Sequence, residues 1–325
     1  MVQNNSWEWL LEGFQIDLET QVKPRTVKDY CDHISYFIRW AQGNGKTDPR
    51  FVTKRDIQEF LHFVASTPAI VVAGNGAERR IQRNGNSRWH HYLPLKRFFR
   101  WAVNERCLEQ SPINGIILKP PKSAPIEPYE PQHMKAFVKV LDHDWQVATT
   151  TRQKMLAARD KAVLFLFLES FIRLEELTNL RISDIELDRQ KALVREGKTG
   201  RGRLAGFGPQ TKKAVWRYLG LRGDGVEHDA LWVTEEGRPL GKHGVQEIVR
   251  RLKKDAGLQC LKGSVHRLRH TGATVTLKHT RDMKGLKLLL GHSTLAMTER
   301  YTQFIEAEDA LKAYSGNGPL DWLTE

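Results

Sequence analysis

The second half of the chain carries cationic side chains at spacings that suit the binding of a phosphate group. Glu176 follows Arg173 by three residues, so on a helix its carboxylate can hold the guanidinium in a fixed orientation. His266, Arg269 and His270 stand at positions i, i+3 and i+4, which places them on one face of a helix. Taken separately, each pattern also fits an ordinary exposed helix surface.

A glycine-rich turn over residues 196–203 carries Lys198 between two short predicted strands. A lysine on such a turn can swing towards a phosphate, or it can simply be a basic hairpin tip. The Gly-Lys-Thr in this turn is similar to part of a nucleotide-binding P-loop. That motif, however, needs a glycine where this chain has Ala192, and a helix where a strand is expected to follow. The sequence therefore argues against a nucleotide site.

One histidine and one tyrosine complete the group of candidate residues. Gly291 is predicted to end a helix and Ser293 or Thr294 to cap the next one, which places His292 at their junction. Tyr301 then follows about two helical turns further along. Taken alone, this tyrosine is equally well explained as a half-buried core residue.

Together these residue types suit the attack of a tyrosine hydroxyl on a phosphodiester. Arginine and histidine donors can stabilise the negative charge that develops on the non-bridging oxygens. A lysine can protonate the leaving oxygen, and a covalent phosphotyrosine conserves the bond energy, so rejoining needs no ATP. The candidate catalytic residues, in chain order, are Arg173, Lys198, His266, Arg269, His292 and Tyr301.

The same residues argue against a metal centre. His266 and His270 have the i, i+4 spacing of a zinc-binding helix, but Arg267 stands where the HExxH motif has its glutamate. Two arginines beside the histidines would also repel a cation. The sequence therefore predicts neither a metal site nor a cofactor.

Two predicted regions, separated by a proline-rich connector, must position the candidate residues. Five prolines lie between Leu118 and Pro131, and they favour an extended segment over a helix. Before this connector, apolar residues at helical spacing predict four helices. Between the third and fourth helices, the Gly- and Asn-rich residues Ser66 to Ser87 predict a long, basic, mobile loop.

After the connector, the pattern predicts a mostly helical region with one small sheet. The predicted helices cover residues 133–141, 152–169, 211–219, 245–256, 266–278, 283–290 and 295–304. The predicted strands cover residues 182–187, 192–195 and 203–207.

Composition narrows the class of protein. The chain has 325 residues, a net charge of +13 and 40% hydrophobic residues, which describes a globular protein of about two domains that suits a polyanionic partner. Three widely spaced cysteines and no CxxC argue against a disulfide framework. With neither a membrane-spanning run nor a signal peptide in the pattern, we expect a cytoplasmic, nucleoid-associated protein without membrane partners.

In order and spacing, these motifs resemble those of the tyrosine recombinase/integrase family, and the resemblance covers nearly the whole chain. Its specific parts are the box around Arg173, the Gly-Lys turn at Lys198, His266-Arg-Leu-Arg269-His-Thr, Leu-Gly-His292-Ser, and Tyr301 nine residues later. Residues 86–103 are also similar to the last helix of the family's core-binding domain.

The resemblance implies a role for each matching residue. Tyr301 would be the nucleophile that forms a 3′-phosphotyrosine and releases a 5′-hydroxyl, while Arg173 and Arg269 would clamp the scissile phosphate. Lys198 would be the general acid for the leaving 5′-oxygen.

Four further positions match residues that assist these groups. His266 and His292 would hydrogen-bond the phosphate and assist proton transfer. Glu176 would support Arg173, and His270 would have a structural role. The sequence departs from the family at Phe171-Ile172, where a Gly-Leu is usual, so we expect a differently built turn before Arg173.

The resemblance also implies a mainly α-helical fold with a small antiparallel β-sheet in the C-terminal domain. A helical, SAM-like core-binding domain over residues 1–117 and a catalytic domain over 132–325, joined by the linker 118–131, would form a C-shaped clamp around DNA. The acidic residues 302–325 would be a tail that docks on a neighbouring subunit, although a helix folded back on its own domain is the alternative.

The implied partner is double-stranded DNA carrying recombination sites. The family acts as a homotetramer through a Holliday junction, the free protein would be a monomer or dimer, and accessory DNA-bending or directionality proteins are possible partners. The expected DNA-contacting residues are Arg79, Arg80, Arg83, Arg88, Lys96, Arg97, Arg201, Arg203 and Arg267.

Two other functions stay open at this point. A type IB topoisomerase would share the phosphotyrosine chemistry but would relax supercoils as a monomer. A DNA-binding protein without recombinase activity would not need a tyrosine beside two arginines. We expect integration or excision of a mobile element, or resolution of replicon dimers.

Overall fold

A computed structural model describes residues 6–72, 78–81, 86–121, 127–195, 202–223, 228–263 and 265–304. For residues 69–72, 78–81, 86 and 303 the description extends to the backbone only. The chain divides into two compact units, residues 1–123 and 124–325.

The first unit contains four long helices. Local signals explain where they begin, because Ser6 accepts a hydrogen bond from the Trp9 amide, and Thr53 forms a reciprocal capping box with Asp56. The helices are α1 Trp7–Gln21, α2 Pro24–Gly43, α3 Lys54–Ser66 and α4 Asn86–Asn104, with a 3₁₀ turn at Pro49–Phe51.

Aromatic side chains dominate the core of this unit. Phe37 packs edge-to-face on Phe60 with ring centroids 5.0 Å apart, and Phe14 packs likewise on Phe98 at 5.3 Å. Trp7 lies 5.8 Å from Phe37, so one network of rings joins helices α1 to α4.

The prediction of a loop over Ser66 to Ser87 was wrong in part. Strands β1 Ala69–Val72 and β2 Glu78–Ile81 pair antiparallel, with Ala69 opposite Ile81. The run Ala-Ile-Val-Val has β-branched side chains, which favour a strand. The strand was not predicted because the glycines and asparagines that follow it favour a loop.

The second unit is mostly helical, with one three-stranded antiparallel sheet in the order β3-β4-β5. The mainly α fold with a small sheet in the C-terminal region is therefore confirmed. The helices are α5 Pro131–Val147, α6 Thr151–Glu169, α7 Leu174–Thr178, α8 Pro209–Arg222, α9 Lys242–Asp255, α10 His266–Thr280, α11 Met283–Leu290 and α12 Ala296–Glu299. The strands are β3 Ile185–Glu186, β4 Lys191–Val194 and β5 Arg203–Gly206.

Helix α6 forms the centre of this unit, because it packs against both α8 and α10 and its second half is buried. Gly272 allows α10 to approach closely, since a Cβ at this position would collide with the carbonyl oxygen of Leu168 and lie 3.0 Å from the Phe171 ring. This contact fixes α10 against the end of α6, where the candidate residues begin.

Two predicted elements in this unit differ from the structure. The strand predicted at 182–187 starts as a 3₁₀ turn, Ile182–Asp184, because Asp184 accepts a hydrogen bond from the Arg181 amide at 2.9 Å. The helix predicted at 295–304 breaks into α12 and a 3₁₀ turn, Thr302–Phe304. Among the described residues, no helix has both the length and the apolar character that crossing a membrane requires.

Candidate active site

Arg173 and Glu176 meet at the start of helix α7. Arg173 is the residue before the helix, and its backbone amide donates to Glu176 Oε2 at 2.7 Å while its Nη1 donates to Oε1 at 2.9 Å. Burial opposes ionisation of Glu176, but the Arg173 amide and the arginines around it hold the pKa of this carboxyl below its ordinary value. The predicted support of Arg173 by Glu176 is therefore present in the geometry.

Arg203 joins the same carboxylate rather than an open surface. Its Nη2 donates to Glu176 Oε2 at 2.7 Å, and its side chain is only 16% exposed. Strand β5 directs this side chain towards α7, and the expected contact of Arg203 with DNA stays a prediction. Gly291 makes room for it, since a Cβ there would lie 2.7 Å from Arg203 Nε.

Helix α10 carries His266 and Arg269 into the site at one-turn spacing. Arg269 is buried, donates through Nη1 to the Phe171 carbonyl and through Nη2 to the Leu290 carbonyl at 2.9 Å. Burial, together with the charge of Arg173, lowers the pKa of Arg269 to about 10, so the group is still charged at neutral pH. These two carbonyls fix the guanidinium in one orientation.

Phe171 provides its carbonyl from an unusual backbone conformation. Its φ is +51°, in the left-handed region that bulky residues rarely adopt. The turn before Arg173 thus contains a left-handed phenylalanine whose carbonyl oxygen faces Arg269, and whether it differs from the turn of other family members stays a prediction. Its ring is buried in a small apolar cluster that also contains Tyr301.

His292 follows helix α11 at the predicted junction. Gly291 ends the helix with φ +64°, as the sequence indicated. Capping by Ser293 or Thr294 was a wrong prediction, because α12 begins after Leu295 and has no side-chain cap. His292 Nδ1 instead lies 3.0 Å from Thr298 Oγ1, which orients the imidazole.

Tyr301 lies near the rings of His270 and His292 and is 2% exposed. Its ring is nearly parallel to that of His292, with centroids 6.4 Å apart, and lies 5.4 Å from that of His270. Burial raises the pKa of the phenol, and the positive charge of Arg269 opposes that rise. The phenol is thus sequestered beside the cation that would favour its ionised form.

The pKa values of the three histidines of the site are all lowered. Burial first, and the surrounding cations next, lower the pKa of His270 and of His292 to about 4, and they lower the pKa of His266 as well. All three imidazoles are therefore neutral near pH 7 in a site that contains several arginines.

Comparison with known proteins agrees with this arrangement. Residues 139–308 match the sequence model of the Phage integrase family. Tyrosine recombinase XerC 2 of Ralstonia nicotianae is 30% identical over 295 residues, which cover 89% of this chain and 79% of that protein. The chain belongs to the phage integrase family.

Further relatives extend the match to nearly the whole length. Tyrosine recombinase XerD of Bifidobacterium longum is 26% identical, with 97% of this chain and 98% of that protein aligned. The Tn1549 transposon integrase in complex with transposon right end DNA has the same fold, with a TM-score of 0.71, 16% identity, and 98% and 100% of the two chains covered. Like its XerC and XerD relatives, the chain is a tyrosine recombinase, an enzyme of site-specific recombination.

Several of the predicted residues of this recombinase lie outside the described residues. They are Arg83, Lys198 and Arg201, and Arg79 and Arg80 are described only by the backbone of β2. Arg88 and Lys96 are exposed on α4, whereas Arg97 donates to Gln21 Oε1 at 2.7 Å and lies 5.6 Å from the Tyr30 ring.

Arg267 is buried among protein groups, and its expected contact with DNA stays a prediction. Its guanidinium donates to the Lys262 carbonyl at 2.5 Å and to the Pro128 carbonyl at 3.3 Å, and it stacks 4.5 Å from the centre of the Tyr129 ring. His266 and Arg269 share one face of helix α10. Arg267 lies on another face, and its side chain points at the segment before α5. Arg267 therefore has a structural role.

The structure adds two residues of the recombinase site that sequence reasoning missed. Thr298 is buried and holds His292, but its sequence position gave no signal for a contact with a residue six positions earlier. Arg300 contributes to the lowered pKa values of His270 and His292. Its position next to Tyr301 was the available clue. Within the described ranges, no group of three or more His, Cys, Asp or Glu side chains is arranged to hold a metal ion.

Proposed function

We propose that this recombinase cleaves and rejoins DNA at specific sites through a covalent 3′-phosphotyrosine, with Tyr301 as the nucleophile. The observation that carries the proposal is the packing of the Tyr301 ring against two neutral histidines beside the buried Arg269. Once the segment that carries it moves, a phenol held close to a fixed guanidinium can reach a phosphodiester that the same guanidinium binds.

The two arginines are the proposed clamp for the scissile phosphate. Arg173 and Arg269 are each fixed by hydrogen bonds to carboxylate or carbonyl oxygens, so their remaining N–H groups are preorganised for an anion. Burial first, and the charge of Arg173 next, lower the pKa of Arg269, and the two guanidinium groups together supply positive potential where a phosphate would bind. Such preorganised donors stabilise the pentavalent transition state.

Proton transfers complete the proposed reaction. Neutral His266 and His292 hydrogen-bond the phosphate and accept or relay the phenolic proton. Lys198 donates a proton to the leaving 5′-oxygen. Tyr301 is 2% exposed, so the segment after α11 has to move before its hydroxyl can attack.

The proposed assembly follows from DNA as the substrate. Residues 1–117 form the core-binding domain, 118–131 the linker and 132–325 the catalytic domain. Four copies act on two DNA sites through a Holliday junction, and the tail 302–325 docks on a neighbouring copy. Exposed Arg88 and Lys96 contact phosphates, so affinity falls steeply with salt.

Integration or excision of a mobile element, or resolution of replicon dimers, is the biological outcome that we propose. Accessory DNA-bending or directionality proteins would decide between these outcomes. Integration, excision and dimer resolution all begin with the same strand cleavage, so the first test addresses that step.

The test uses a nicked suicide DNA substrate in EDTA, with wild type and Tyr301→Phe, and denaturing gels that detect protein bound covalently to DNA. We expect an adduct with the wild type and none with the variant. Tyr129→Phe is the matched control, because this tyrosine is also buried and its hydroxyl has no hydrogen-bond partner within the described residues.

An adduct that persists in Tyr301→Phe would overturn the assignment of the nucleophile. If the wild type gives no adduct on any candidate site, either the site is wrong or the protein only binds DNA. Relaxation of supercoiled plasmid that depends on Tyr301 would show that the site was wrong. Relaxation that depends on Tyr301 without any exchange between sites would favour a topoisomerase.

A further inference from the structure

The contact between Thr298 and His292 joins two residues of the segment that follows helix α11. Thr298 Oγ1 lies 3.0 Å from His292 Nδ1, which is a hydrogen-bond distance. The threonine is completely buried in α12, whereas the imidazole is half-buried. The backbone carbonyl of Thr298 also accepts a hydrogen bond from the Tyr301 amide at 3.0 Å. Thr298 therefore contacts both a proposed ligand of the phosphate and the backbone of the proposed nucleophile.

The hydroxyl of Thr298 can either donate to Nδ1 or accept from it. In the part of the chain that the structure describes, this hydroxyl has no other hydrogen-bond partner. If Nδ1 carried the hydrogen, the hydroxyl would accept it, and its own hydrogen would be buried without an acceptor. If the hydroxyl donates instead, both groups are paired. The buried hydroxyl therefore favours the imidazole that carries its hydrogen on Nε2.

The choice of nitrogen matters because His292 is neutral. Burial first, and the charges of Arg269 and Arg173 next, lower the pKa of His292, so near pH 7 only one of its two nitrogens carries a hydrogen. With that hydrogen on Nε2, the neutral ring offers an N–H group to an anionic oxygen. With the hydrogen on Nδ1, the same position would offer a lone pair, which an anionic oxygen repels.

We propose that Thr298 is a positioning residue, whose buried hydroxyl holds His292 in the tautomer with hydrogen on Nε2, so that the imidazole donates to the scissile phosphate. This inference rests on the proposed function. The same hydrogen bond fixes the orientation of the ring, since Nδ1 has to face Oγ1. The loss of the hydroxyl would therefore weaken a donor to the developing charge without removing the histidine.

Nitrogen NMR of the imidazole tests the tautomer in the free protein. In isotope-labelled wild type at neutral pH, two-bond proton–nitrogen spectra should show a protonated Nε2 and an unprotonated Nδ1 that accepts a hydrogen bond. The loss of signals in His292→Gln assigns them. In Thr298→Val a methyl group replaces the hydroxyl, so the Nδ1 signal should move downfield because its donor is gone. Thr298→Ser keeps the hydroxyl and should keep the wild-type shift.

Single-turnover adduct formation on the suicide substrate tests the effect on cleavage. Thr298→Val should lose about 10-fold, less than the roughly 10²-fold loss expected when His292→Ala removes the donor itself. Thr298→Ser should recover most of the rate. When His292→Ala is already present, Thr298→Val should cost less than about 2-fold, because the ring that it positions is absent.

Thr211→Val is the matched control. Thr211 is also completely buried, and its hydroxyl has no hydrogen-bond partner among the residues that the structure describes. This variant should leave both the Nδ1 signal and the cleavage rate unchanged. Thermal unfolding of each variant is measured alongside.

The outcomes distinguish the two levels of inference. A wild-type spectrum with the hydrogen on Nδ1 would overturn the role of Thr298 without the need for any variant. An equal loss by Thr298→Val with and without His292 would also overturn it, while the wild-type adduct leaves the proposed function intact. If the wild type gives neither an adduct nor relaxation that depends on Tyr301, the proposed function itself is overturned, and the role of the tautomer with it.

Discussion

The two units of the recombinase bury different kinds of side chain. Among the described residues of the first unit, the buried polar or charged side chains are Asp56 and His91, in a core otherwise made of aromatic and aliphatic groups. The second unit buries several charged side chains: Arg159, Asp160, Asp184, Arg267 and Arg269.

Buried charges are costly unless they are paired and hydrogen-bonded. In the second unit Arg159 pairs with Asp160 at 2.7 Å, whereas Arg269 lies near a second arginine, Arg173, and donates to the carbonyls of Phe171 and Leu290. The first unit is therefore organised mainly by apolar packing, while the second keeps an excess of positive charge where an anion is expected to bind, with Arg173, Arg203 and Arg269 around the carboxylate of Glu176.

The largest effect should follow removal of this charge. Arg269→Ala takes away preorganised donors and leaves two carbonyls unpaired, so cleavage per folded molecule should fall by about 10³-fold. Single-turnover adduct formation on the suicide substrate measures this. Arg159→Ala, which removes a buried arginine outside the site, should cost stability and leave the cleavage rate of the folded protein unchanged; equal losses would contradict the distinction.

In the first unit, removal of a buried side chain should lower the stability of the fold. Phe98→Ala removes a fully buried ring, and the free energy of unfolding of this unit should fall by about 3–5 kcal/mol. Urea unfolding followed by the methyl NMR signals of Leu95 measures it. Phe51 is 69% exposed, and Phe51→Ala should change the value by less than about 0.5 kcal/mol.

A smaller effect on stability is expected at Phe171, because its backbone is in the left-handed region. Alanine keeps the strained φ of +51°, whereas glycine relieves it. Phe171→Gly should therefore be more stable than Phe171→Ala by about 1 kcal/mol. At Phe165, within helix α6, the order should be reversed by a similar amount. Urea unfolding of the four variants checks this, and the same order at both positions would refute the strain.

The pH dependence of stability should differ between the units. His270 and His292 have pKa values near 4 in the folded protein, so the unfolded chain binds more protons between about pH 6.5 and 4. The second unit should therefore lose stability as the pH falls through this range. Urea midpoints followed by methyl signals of Leu277 measure the loss.

His292→Gln should flatten this pH profile, because glutamine does not titrate. The exposed His243 on α9 provides the matched control, and His243→Gln should leave the profile unchanged. A profile that is the same in all three proteins would show that burial and the nearby arginines do not lower the pKa of His292 in the folded protein.

Most helices of both units, though not the one predicted at 295–304, and the order of the candidate residues could be predicted from the sequence. Periodic apolar side chains define a helix within a few residues, and a glycine such as Gly291 ends one by its own backbone freedom. For the same reason the pairing of Arg173 with Glu176, three residues apart, was predictable and is present.

Only the tertiary structure decided which side chains are buried and what they face. The contacts of Arg203 with Glu176 and of Arg269 with the Phe171 carbonyl join residues 27 and 98 positions apart. No local pattern encodes such pairs, so the sequence did not predict the protein contacts of Arg203 or Arg267. The burial of Tyr301 likewise depends on α10 and α11 packing together, because its apolar neighbours come from these separate segments.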